Sequence, residues 1–503
     1  MASLTSSAHC RGNPGSGNRA TLNKPLPETM IATAFLVILL VFGGSSEDGV
    51  GINLALELMS LLVLLMTILL AGKLRPMSGS RGLTMIAMFL LIIYAVQLVP
   101  LPPQLWSALP GRELIVRGYD LLGVPPPWRP ISFNQERTLA SATALLPALC
   151  ALSLVLRIPR EQFFVLGYSI IAVSIISVLV GITQVVGGPE ANLYWHRSME
   201  GESANGFFAN PNHLSTLLLV ALSLLFALAK TSFADTANRS KLSFVILTST
   251  GLFLVFGIFA SESTGGLVLL LPTLLASSFL LIKSQSPVRL SKRRAAMALL
   301  AAPIAVSIPF ALIMFSNQDL SWGSSLGFGE LERLGIAGTA TIAAVQYFPI
   351  GAGLGTFPLV YPAHENPSRV SNFFINHAHN DYLELLFESG LLGVLLFVVI
   401  FVWWARRTIT AWRAVDKFAP WAQASSIAIA IIAVHSGFDY PARAPAILAL
   451  GAAFCAILGR GAPSRTASAR RFRRFKIGKT LVYSVWLASN RRFISRRGRG
   501  EAG

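Results

Sequence analysis

Charged residues and cysteines are scarce in this chain. Only 13% of its 503 residues are charged and 53% are hydrophobic, whereas a soluble domain carries roughly 25% charged residues. A long chain of this composition does not build one soluble core, and it divides instead into membrane spans. The three cysteines are Cys10, in a polar tail, and Cys150 and Cys455, in apolar runs. Their number and spacing exclude a framework of disulfides and a cysteine-based metal site.

The N-terminus does not have the pattern of a cleavable signal peptide. The first apolar run begins only near Met30, after a long polar stretch, and no Ala-x-Ala sequence follows it. We therefore expect this run to stay in place as a membrane anchor. The formal net charge of +18 is typical of proteins that bind nucleic acid or an anionic membrane surface. Because the basic residues lie between apolar runs, we expect membrane lipids as a partner and no nucleic acid.

Apolar runs long enough to cross a bilayer recur along the chain. A span needs ~20 largely apolar residues. Such runs lie near 30–46, 51–72, 83–100, 138–156, 163–186, 214–229, 242–260, 265–282, 295–315, 384–404, 421–438 and 444–459. The sequence therefore predicts an all-α, polytopic integral membrane protein with about twelve transmembrane helices. The membrane core occupies 30–460, between an N-terminal tail at 1–29 and a basic C-terminal tail at 461–503.

Lysine and arginine occur in every second turn between the predicted spans. The basic positions are Arg11, Arg19, Lys24, Lys73, Arg75, Arg81, Arg157, Arg160, Lys230, Arg239, Lys241, Lys283, Arg289, Lys292, Arg293, Arg294, Arg406, Arg407, Arg413, Lys417 and the tail after Gly459. Cytoplasmic loops carry this excess, so both termini are predicted to be cytoplasmic. The other loops then face outward, and the one at 316–380 is the longest. The basic tail is interpreted as an anchor on anionic lipid, with a specific partner as the alternative.

Histidines are concentrated on the predicted outward side. Six of the seven lie in outward loops or near the outward ends of spans: His196, His213, His364, His377, His379 and His435. Random placement would scatter them over both faces. Any single one could be structural, but the clustering indicates that the chemistry of the protein lies at this side of the membrane.

The densest polar segment runs from Asn376 to Glu384 and begins the tenth span. Asp381 and Glu384 have the spacing of a helix N-terminal capping pair, and a helix N-terminus suits an anion such as phosphate. Asp381, Glu384 and Glu388 share one helical face. Glu388 enters the membrane, where a carboxylate is often functional; the alternative is that it pairs with a polar group of a neighbouring helix.

Two further patterns in this region have simpler readings. His377, His379 and Asp381 could be metal ligands, but a site needs three or four converging ligands, and only His364 or a distant loop could complete it. The glycines at 351, 353 and 355 lack the dinucleotide-binding spacing and predict a tight turn. Those at 390 and 393 predict close helix packing.

Three arginines of the outward loops are candidates for binding phosphate. Arg333 and Arg369 lie in the long loop, and Arg197 lies between the fifth and sixth spans. A guanidinium binds phosphate in a bidentate manner. The alternatives are ordinary solvated charge, or pairing of Arg333 with Glu330 or Glu332.

These motifs occur in an order that resembles one family. His379-Asn380 is followed after nine residues by Gly390-x-x-Gly393. Before it come Asn-Pro-Asn-His at 210–213, Arg333, and Phe-Pro-Ile-Gly-Ala-Gly-Leu-Gly-Thr-Phe at 348–357; after it comes His-Ser-Gly-Phe-Asp-Tyr-Pro at 435–441. The set resembles the O-antigen ligase and polymerase superfamily over about 190–450, with a weaker likeness at 100–138.

The resemblance implies a GT-C-like membrane glycosyltransferase at the periplasmic face of the bacterial inner membrane. It would move a glycan from an undecaprenyl-diphosphate carrier to an acceptor, with O-antigen ligation to lipid A-core as the favoured reaction. Polymerisation of O-antigen or exopolysaccharide repeat units, or ligation to a protein, is the alternative. The resemblance implies no metal, nucleotide or other cofactor.

The resemblance also implies roles for individual residues. His379 acts as general base or orients the acceptor, Arg333 stabilises the departing diphosphate, and Asp439 orients the histidine or binds the acceptor. The predicted substrate-binding residues are Asn380, Asp381, Glu384, His377, His213, Asn212, Arg197 and Arg369.

The chain departs from the family pattern at one place. The family often has Ser-Arg-Gly where this chain has Ser263-Thr264-Gly265, so one expected cation is missing, and Arg197 or Arg369 could substitute for it. A transporter or flippase is an alternative of another class. Transporters tend to show repeats and polar sites at the bilayer midplane, whereas the polar residues here lie at one edge.

Overall fold

The computed structural model describes residues 25–46, 51–70, 72–73, 79, 81–188, 194, 196, 203–234, 241–282, 322–367 and 374–460. The helices are α1 (Pro27–Phe42), α2 (Gly51–Leu69), α3 (Arg81–Leu98), α4 (Pro103–Trp106), α5 (Glu113–Leu122), α6 (Gln135–Thr143), α7 (Leu146–Val155), α8 (Phe163–Gly187), α9 (Pro211–Ala234), α10 (Lys241–Ala260), α11 (Thr264–Ile282), α12 (Trp322–Tyr347), α13 (Phe357–Val360), α14 (Asp381–Arg413), α15 (Ala419–His435) and α16 (Pro445–Gly459). Short 3₁₀ turns lie at Arg160–Gln162, Tyr361–His364 and Pro441–Arg443. Two-residue strands β1 (Pro100–Leu101) and β2 (Arg129–Pro130) pair antiparallel, with Pro100 opposite Pro130.

The helices confirm a polytopic membrane protein. Within the described residues, eight helical segments are long and apolar enough to cross a bilayer: Gly51–Leu69, Arg81–Leu98, Gln135–Val155, Arg160–Gly187, Pro211–Thr231, Leu242–Ala260, Thr264–Leu281 and Asp381–Arg413. The shorter apolar helices are Pro27–Phe42, Ala419–His435 and Pro445–Gly459. All of them coincide with predicted runs. The predicted run at 295–315 lies outside the described residues, so the total of about twelve spans stays a prediction.

Helix α9 is the centre of the bundle. Its most apolar stretch is 89% buried, and it packs against α8, α10, α11 and α15. A helix that is apolar on every face lies in a protein core or spans a membrane, and α9 is covered by other helices rather than by lipid. In contrast, the matching stretches of α2 and α3 are only 17% and 22% buried, which leaves apolar faces for lipid. The central position of α9 places its N-terminal residues among the ends of several other helices.

The ends of the helices separate into two groups, as the alternation of basic turns predicts. At one end Ala446 N–H donates to Gly43 O (2.9 Å), and Asp381 N–H donates to Ser436 O (2.9 Å). At the other end the Arg160 side chain donates to the backbone carbonyl of Arg460. The connections after α1, before α14 and between α15 and α16 therefore meet at one end of the bundle, and the turns at Arg160 and Arg460 meet at the other.

Helix α14 is interrupted at Gly390, whose φ of 54° and ψ of −134° are not helical. The loop that follows α12 bonds to the backbone exposed by this break: Ala352 N–H donates to Phe387 O (3.0 Å) and Leu391 N–H to Pro349 O (2.9 Å). A Cβ on Gly390 would lie 2.2 Å from Pro349 O. The prediction that Gly390 serves close helix packing was wrong, because the residue breaks the helix to admit a loop.

The glycine-rich segment at 348–357 forms the predicted tight turn. Gly351, Gly353 and Gly355 have φ values of 87°, 113° and 79°, which other residues rarely adopt. Gln97 of α3 ties this turn to the break in α14, since its side chain donates to Glu388 O (2.9 Å) and accepts from Leu354 N–H (2.9 Å). The described part of the predicted long loop is therefore ordered: α12 first, then this turn.

Candidate functional site

The histidines predicted as functional meet around one aromatic ring. The Tyr440 ring lies 5.4 Å from that of His213, 4.6 Å from that of His377 and 5.0 Å from that of His379, measured between centroids. These residues come from the start of α9, the segment before α14 and the α15–α16 connection. The fold thus assembles, from distant parts of the sequence, a site at the end of the bundle opposite the described basic turns.

Asp439 is the acidic residue at the centre of this site. It is 1% exposed, and its Oδ1 accepts a hydrogen bond from Tyr440 N–H (2.8 Å). Its Oδ2 has no hydrogen-bond partner within the described part of the chain. Burial raises the pKa of Asp439, but the charges of His213, His435 and Arg333 outweigh burial and leave that pKa below its ordinary value. The carboxylate is therefore ionised at neutral pH.

His379 has an unusual backbone conformation and a free ring nitrogen. Its φ is 52°, in the left-handed region, which costs a non-glycine residue roughly 1–2 kcal/mol. Among the described residues its buried Nδ1 has no hydrogen-bond partner. Burial lowers the pKa of His379 to about 4. The negative charge of Asp439 raises this pKa, and the positive charge of Arg333 lowers it. The imidazole is neutral at pH 7 and can accept a proton, and a strained residue of this kind indicates a functional position.

Asn380 begins helix α14 and fixes the backbone next to His379. Its Oδ1 accepts from Tyr382 N–H and Leu383 N–H, both at 3.0 Å, and its Nδ2 donates to Gly437 O (2.8 Å). The predicted capping pair of Asp381 and Glu384 was therefore wrong by one residue at its first member. The Asn380 amide is occupied at both ends by these bonds, so its predicted role in substrate binding stays a prediction.

Arg443 is bound by three carboxylates of the α14 N-terminal segment. Its Nε lies 3.5 Å from Asp381 Oδ1, and its Nη2 lies 3.2 Å from Glu384 Oε1 and 3.3 Å from Glu388 Oε2. The carboxylates come from one helical face, as their spacing predicts. Burial lowers the pKa of Arg443, but the carboxylates outweigh it and raise that pKa above its ordinary value. Glu388 was predicted either to be functional or to pair with a neighbouring polar group, and the structure shows it paired with Arg443.

One of these carboxylates also holds the segment that carries His379. Glu384 Oε1 lies 3.0 Å from His377 Nδ1, and Glu384 Oε2 accepts from Ala378 N–H (2.9 Å). Burial lowers the pKa of His377, but the charge of Glu384 and the bond to it leave that pKa raised. Arg443 therefore acts on the backbone before His379 through Glu384. We name Arg443, Asp381, Glu384, Glu388 and His377 the Arg443 cluster.

Sequence reasoning missed Arg443, although a signal for it was present. Three acids on one face of an apolar helix require a buried cation. Arg443 is the only lysine or arginine between His435 and Gly459, in the connection between the last two apolar runs. The sequence identifies Arg443 as the partner of these acids only if the connection that carries it lies near the start of α14. That proximity is seen only in the folded structure.

Asn212 joins the starts of α9 and α11. Its Oδ1 accepts a bond from Ser263 Oγ (2.6 Å), and Ser263 Oγ accepts from Gly266 N–H (2.9 Å) and from Ser215 Oγ (2.9 Å). This network places Ser263-Thr264-Gly265, where the chain departs from the family pattern, beside the site. Next to Asn212, His213 is fully buried, and neither of its ring nitrogens has a hydrogen-bond partner among the residues described.

The remaining predicted residues lie in different situations. Arg333 is in α12, and its charge acts on His379, His435 and Asp439, so it lies within electrostatic range of the site. Arg197 and Arg369 lie outside the described residues. His364, the possible third metal ligand, instead shares a 2.6 Å hydrogen bond with the Tyr347 hydroxyl. The described ranges contain no group of three His, Cys, Asp or Glu residues that could hold a metal ion.

Comparison with known proteins gives one family. Residues 249–398 match the family model described as O-antigen ligase. The matched segment includes Arg333, His379, Glu384 and Glu388, whereas His213, Asp439 and Arg443 lie outside it. No curated protein matches the chain.

Proposed function

We propose, from the premise that this chain belongs to the O-antigen ligase-like superfamily, that it transfers a glycan from undecaprenyl diphosphate to lipid A-core. The observation that carries the proposal is the convergence of His379, Asp439 and Arg333. It brings together a neutral imidazole, an ionised carboxylate and a guanidinium at one end of a membrane bundle. These are the groups that transfer from a diphosphate leaving group to a hydroxyl requires.

The acceptor hydroxyl attacks the anomeric carbon of the lipid-linked sugar. A new C–O bond forms as the bond between the anomeric carbon and the carrier diphosphate breaks, with inversion at that carbon. The hydroxyl proton goes to His379, and the bonding electron pair leaves with the diphosphate. Arg333 stabilises the charge on the diphosphate, and the Asp439 carboxylate stabilises the imidazolium that forms. No metal or nucleotide takes part.

The other predicted residues surround these groups. His213 is buried against Tyr440 and is assigned to the substrate, as is Asn212 beside it. His377, Asn380, Asp381 and Glu384 contact the substrate at the start of α14 or hold the backbone there. Arg197 and Arg369 are assigned to the diphosphate from the sequence alone.

The proposed setting is the bacterial inner membrane, with the site periplasmic and both termini cytoplasmic. The separation of the described basic turns from the histidine-rich end supports this orientation, because cytoplasmic loops carry the excess of lysine and arginine. A lipid-linked donor is amphipathic, and a site at the bundle end receives its diphosphate while the polyprenyl chain stays in the bilayer.

The direct test is transfer by purified protein in detergent, with lipid-linked glycan and lipid A-core from the source strain. Loss of a general base slows a reaction by about 10²- to 10⁴-fold, so we expect His379→Ala to lower the rate of transfer by at least about 10²-fold. His364→Ala is the matched control, because that histidine bonds Tyr347 and lies outside the Tyr440 group. Wild-type activity in correctly inserted His379→Ala would remove His379 from the mechanism.

The lipopolysaccharide profile of a deletion strain separates ligase from polymerase. Bare core, with long chains accumulating on the carrier, identifies a ligase. Core with a single repeat unit identifies a polymerase of O-antigen, the alternative within the family. An unchanged profile means that the enzyme acts on another glycan, such as an exopolysaccharide.

A further inference from the structure

His435 is a buried histidine of the site to which neither the family motif nor the mechanism above gives a role. It ends α15 and is 0% exposed. Its ring lies 5.1 Å from that of Phe438, and the charges of Asp439 and Arg333 act on it. Its position is therefore within the group of residues assigned to catalysis.

Thr216 fixes the tautomer of His435. The Thr216 hydroxyl donates its single hydrogen to Asn212 O (2.9 Å), and a carbonyl oxygen can only accept. The same hydroxyl oxygen lies 2.7 Å from His435 Nδ1. We assign the hydroxyl hydrogen to the Asn212 carbonyl, so the oxygen accepts at the second contact and Nδ1 of the neutral imidazole carries the proton. Nε2 is then a lone pair that can only accept a hydrogen bond.

Nothing in the described chain uses that lone pair. Nε2 is buried and has no hydrogen-bond partner among the residues described. An unsatisfied buried acceptor costs roughly 1–3 kcal/mol, so such an atom in a functional site calls for a role. A ligand of Nε2 must donate a hydrogen bond, because Nε2 carries no hydrogen in this tautomer.

Gly265 and Phe438 lie next to Nε2. A Cβ on Gly265, the second residue of α11, would lie 2.6 Å from Nε2 and 2.6 Å from Phe438 Cε2, so only a residue without a side chain fits beside these two rings. Phe438 is 38% exposed and offers an aromatic face, on which the apolar face of a sugar ring can lie.

We propose that His435 is a substrate-binding residue that accepts a hydrogen bond from a glycan hydroxyl through Nε2, in the tautomer that Thr216 imposes. The inference rests on the proposed function, because it takes the ligand to be one of the two glycans of the transfer reaction. Sites that hydrogen-bond a substrate hydroxyl discriminate strongly against analogues that lack it. His435 is thus a determinant of glycan specificity, separate from the proton acceptor His379.

The test compares two substitutions at His435. The amide of His435→Gln can place an oxygen near the position of Nε2, whereas that of His435→Asn reaches only the position of Nδ1. Dissociation constants are measured for full-length protein in detergent, separately for undecaprenyl-diphosphate-linked glycan and for lipid A-core, both extracted from the source strain. We expect His435→Asn to weaken one of them about tenfold, the loss of one hydrogen bond to a ligand. His435→Gln should stay within about threefold of wild type.

A second pair of variants tests the tautomer. Thr216→Val removes the hydroxyl with little change of shape, and Thr216→Ser keeps it. Without the hydroxyl the imidazole can place its proton on Nε2, so Thr216→Val should weaken the same ligand by at least about threefold, and Thr216→Ser should match wild type. Thermal unfolding shows whether each variant is folded. If one variant of a pair fails to fold, the other pair decides the assignment.

The outcomes separate this inference from the proposed function. The affected ligand identifies whether the donor or the acceptor glycan carries the hydroxyl. Equal losses in His435→Asn and His435→Gln, or equal affinities in Thr216→Val and Thr216→Ser, overturn the assignment. If wild-type protein binds glycan but forms no glycosidic bond, the proposed transferase function is refuted. The dissociation constants of the variants still decide the role of His435. Wild type that binds neither glycan refutes both.

Discussion

Replacing Arg443 with glutamine should destabilise the protein more than any surface substitution of the same kind. The Arg443 side chain is 21% exposed, and those of Glu384 and Glu388 are 1% and 0% exposed. Removing one partner of a buried ion pair typically costs about 3–5 kcal/mol, because the charges that remain are buried and unpaired. Arg443→Gln leaves two buried carboxylates and Asp381 without their cation, so we expect a loss in free energy of unfolding within that range.

The measurement is denaturant unfolding of purified protein in one detergent, with Arg117→Gln as the control. Arg117 is exposed on α5, and a surface substitution of this kind changes stability by no more than about 0.5 kcal/mol. Arg443→Lys should fall between wild type and Arg443→Gln, because an ammonium keeps the charge but not the fork that reaches separate carboxylates.

Adding Glu388→Gln to Arg443→Gln should recover part of the loss, since it removes one uncompensated charge. A double-mutant cycle measures that coupling directly. If Arg443→Gln unfolds at the same denaturant concentration as Arg117→Gln, the cluster does not hold this end of the bundle. Transfer activity should fall with stability, because Glu384 connects Arg443 to the backbone before His379.

The pH dependence of transfer should report the protonation of His379. The kcat/KM of transfer should be constant at neutral pH and fall as pH drops through about 4, because the base must be unprotonated and burial lowers the pKa of His379 to about 4. Arg333 lowers and Asp439 raises that pKa, so Arg333→Gln should move the inflection of the pH–rate profile up and Asp439→Asn should move it down; equal directions would contradict the assigned geometry. Gly390→Ala should lower the free energy of unfolding by at least ~2 kcal/mol, because φ at this residue is positive and a Cβ would meet Pro349 O. The control is Gly118→Ala, whose Cβ would meet nothing within 4 Å. It should be neutral or stabilising by up to ~1 kcal/mol. EDTA should leave the transfer rate unchanged, and loss of activity that added metal restores would refute the metal-independent mechanism.

Helix positions were predictable because the membrane fixes the length and polarity of a span. The common face of Asp381, Glu384 and Glu388 followed from helix geometry alone, and all three carboxylates do meet Arg443. The start of α14 was less certain, since Asn380 and Asp381 are equally good N-cap residues. Tertiary contacts distinguish them, because Asn380 Nδ2 donates to Gly437 O whereas the Asp381 carboxylate lies against Arg443.

Other features depend on contacts that one sequence does not encode locally. Glycine in an apolar run is compatible with close packing and with a break, and Gly390 breaks its helix because a loop from before α13 supplies the missing hydrogen bonds. The role of Thr216 was equally hidden, since a threonine inside an apolar helix gives no sign of its partner. Its bond to His435 spans 219 residues of sequence.

The Arg443 cluster also constrains how the protein is made. Arg443 follows Glu388 by 55 residues, so the carboxylates leave the ribosome well before the cation that neutralises them. Burying a lone carboxylate in a bilayer is expensive, so we expect the N-terminal part of α14 to stay at the water interface until the connection that carries Arg443 has been synthesised. Closure of this end of the bundle is then a late event in biogenesis, and a chain truncated before residue 443 lacks the one cation that its three carboxylates share.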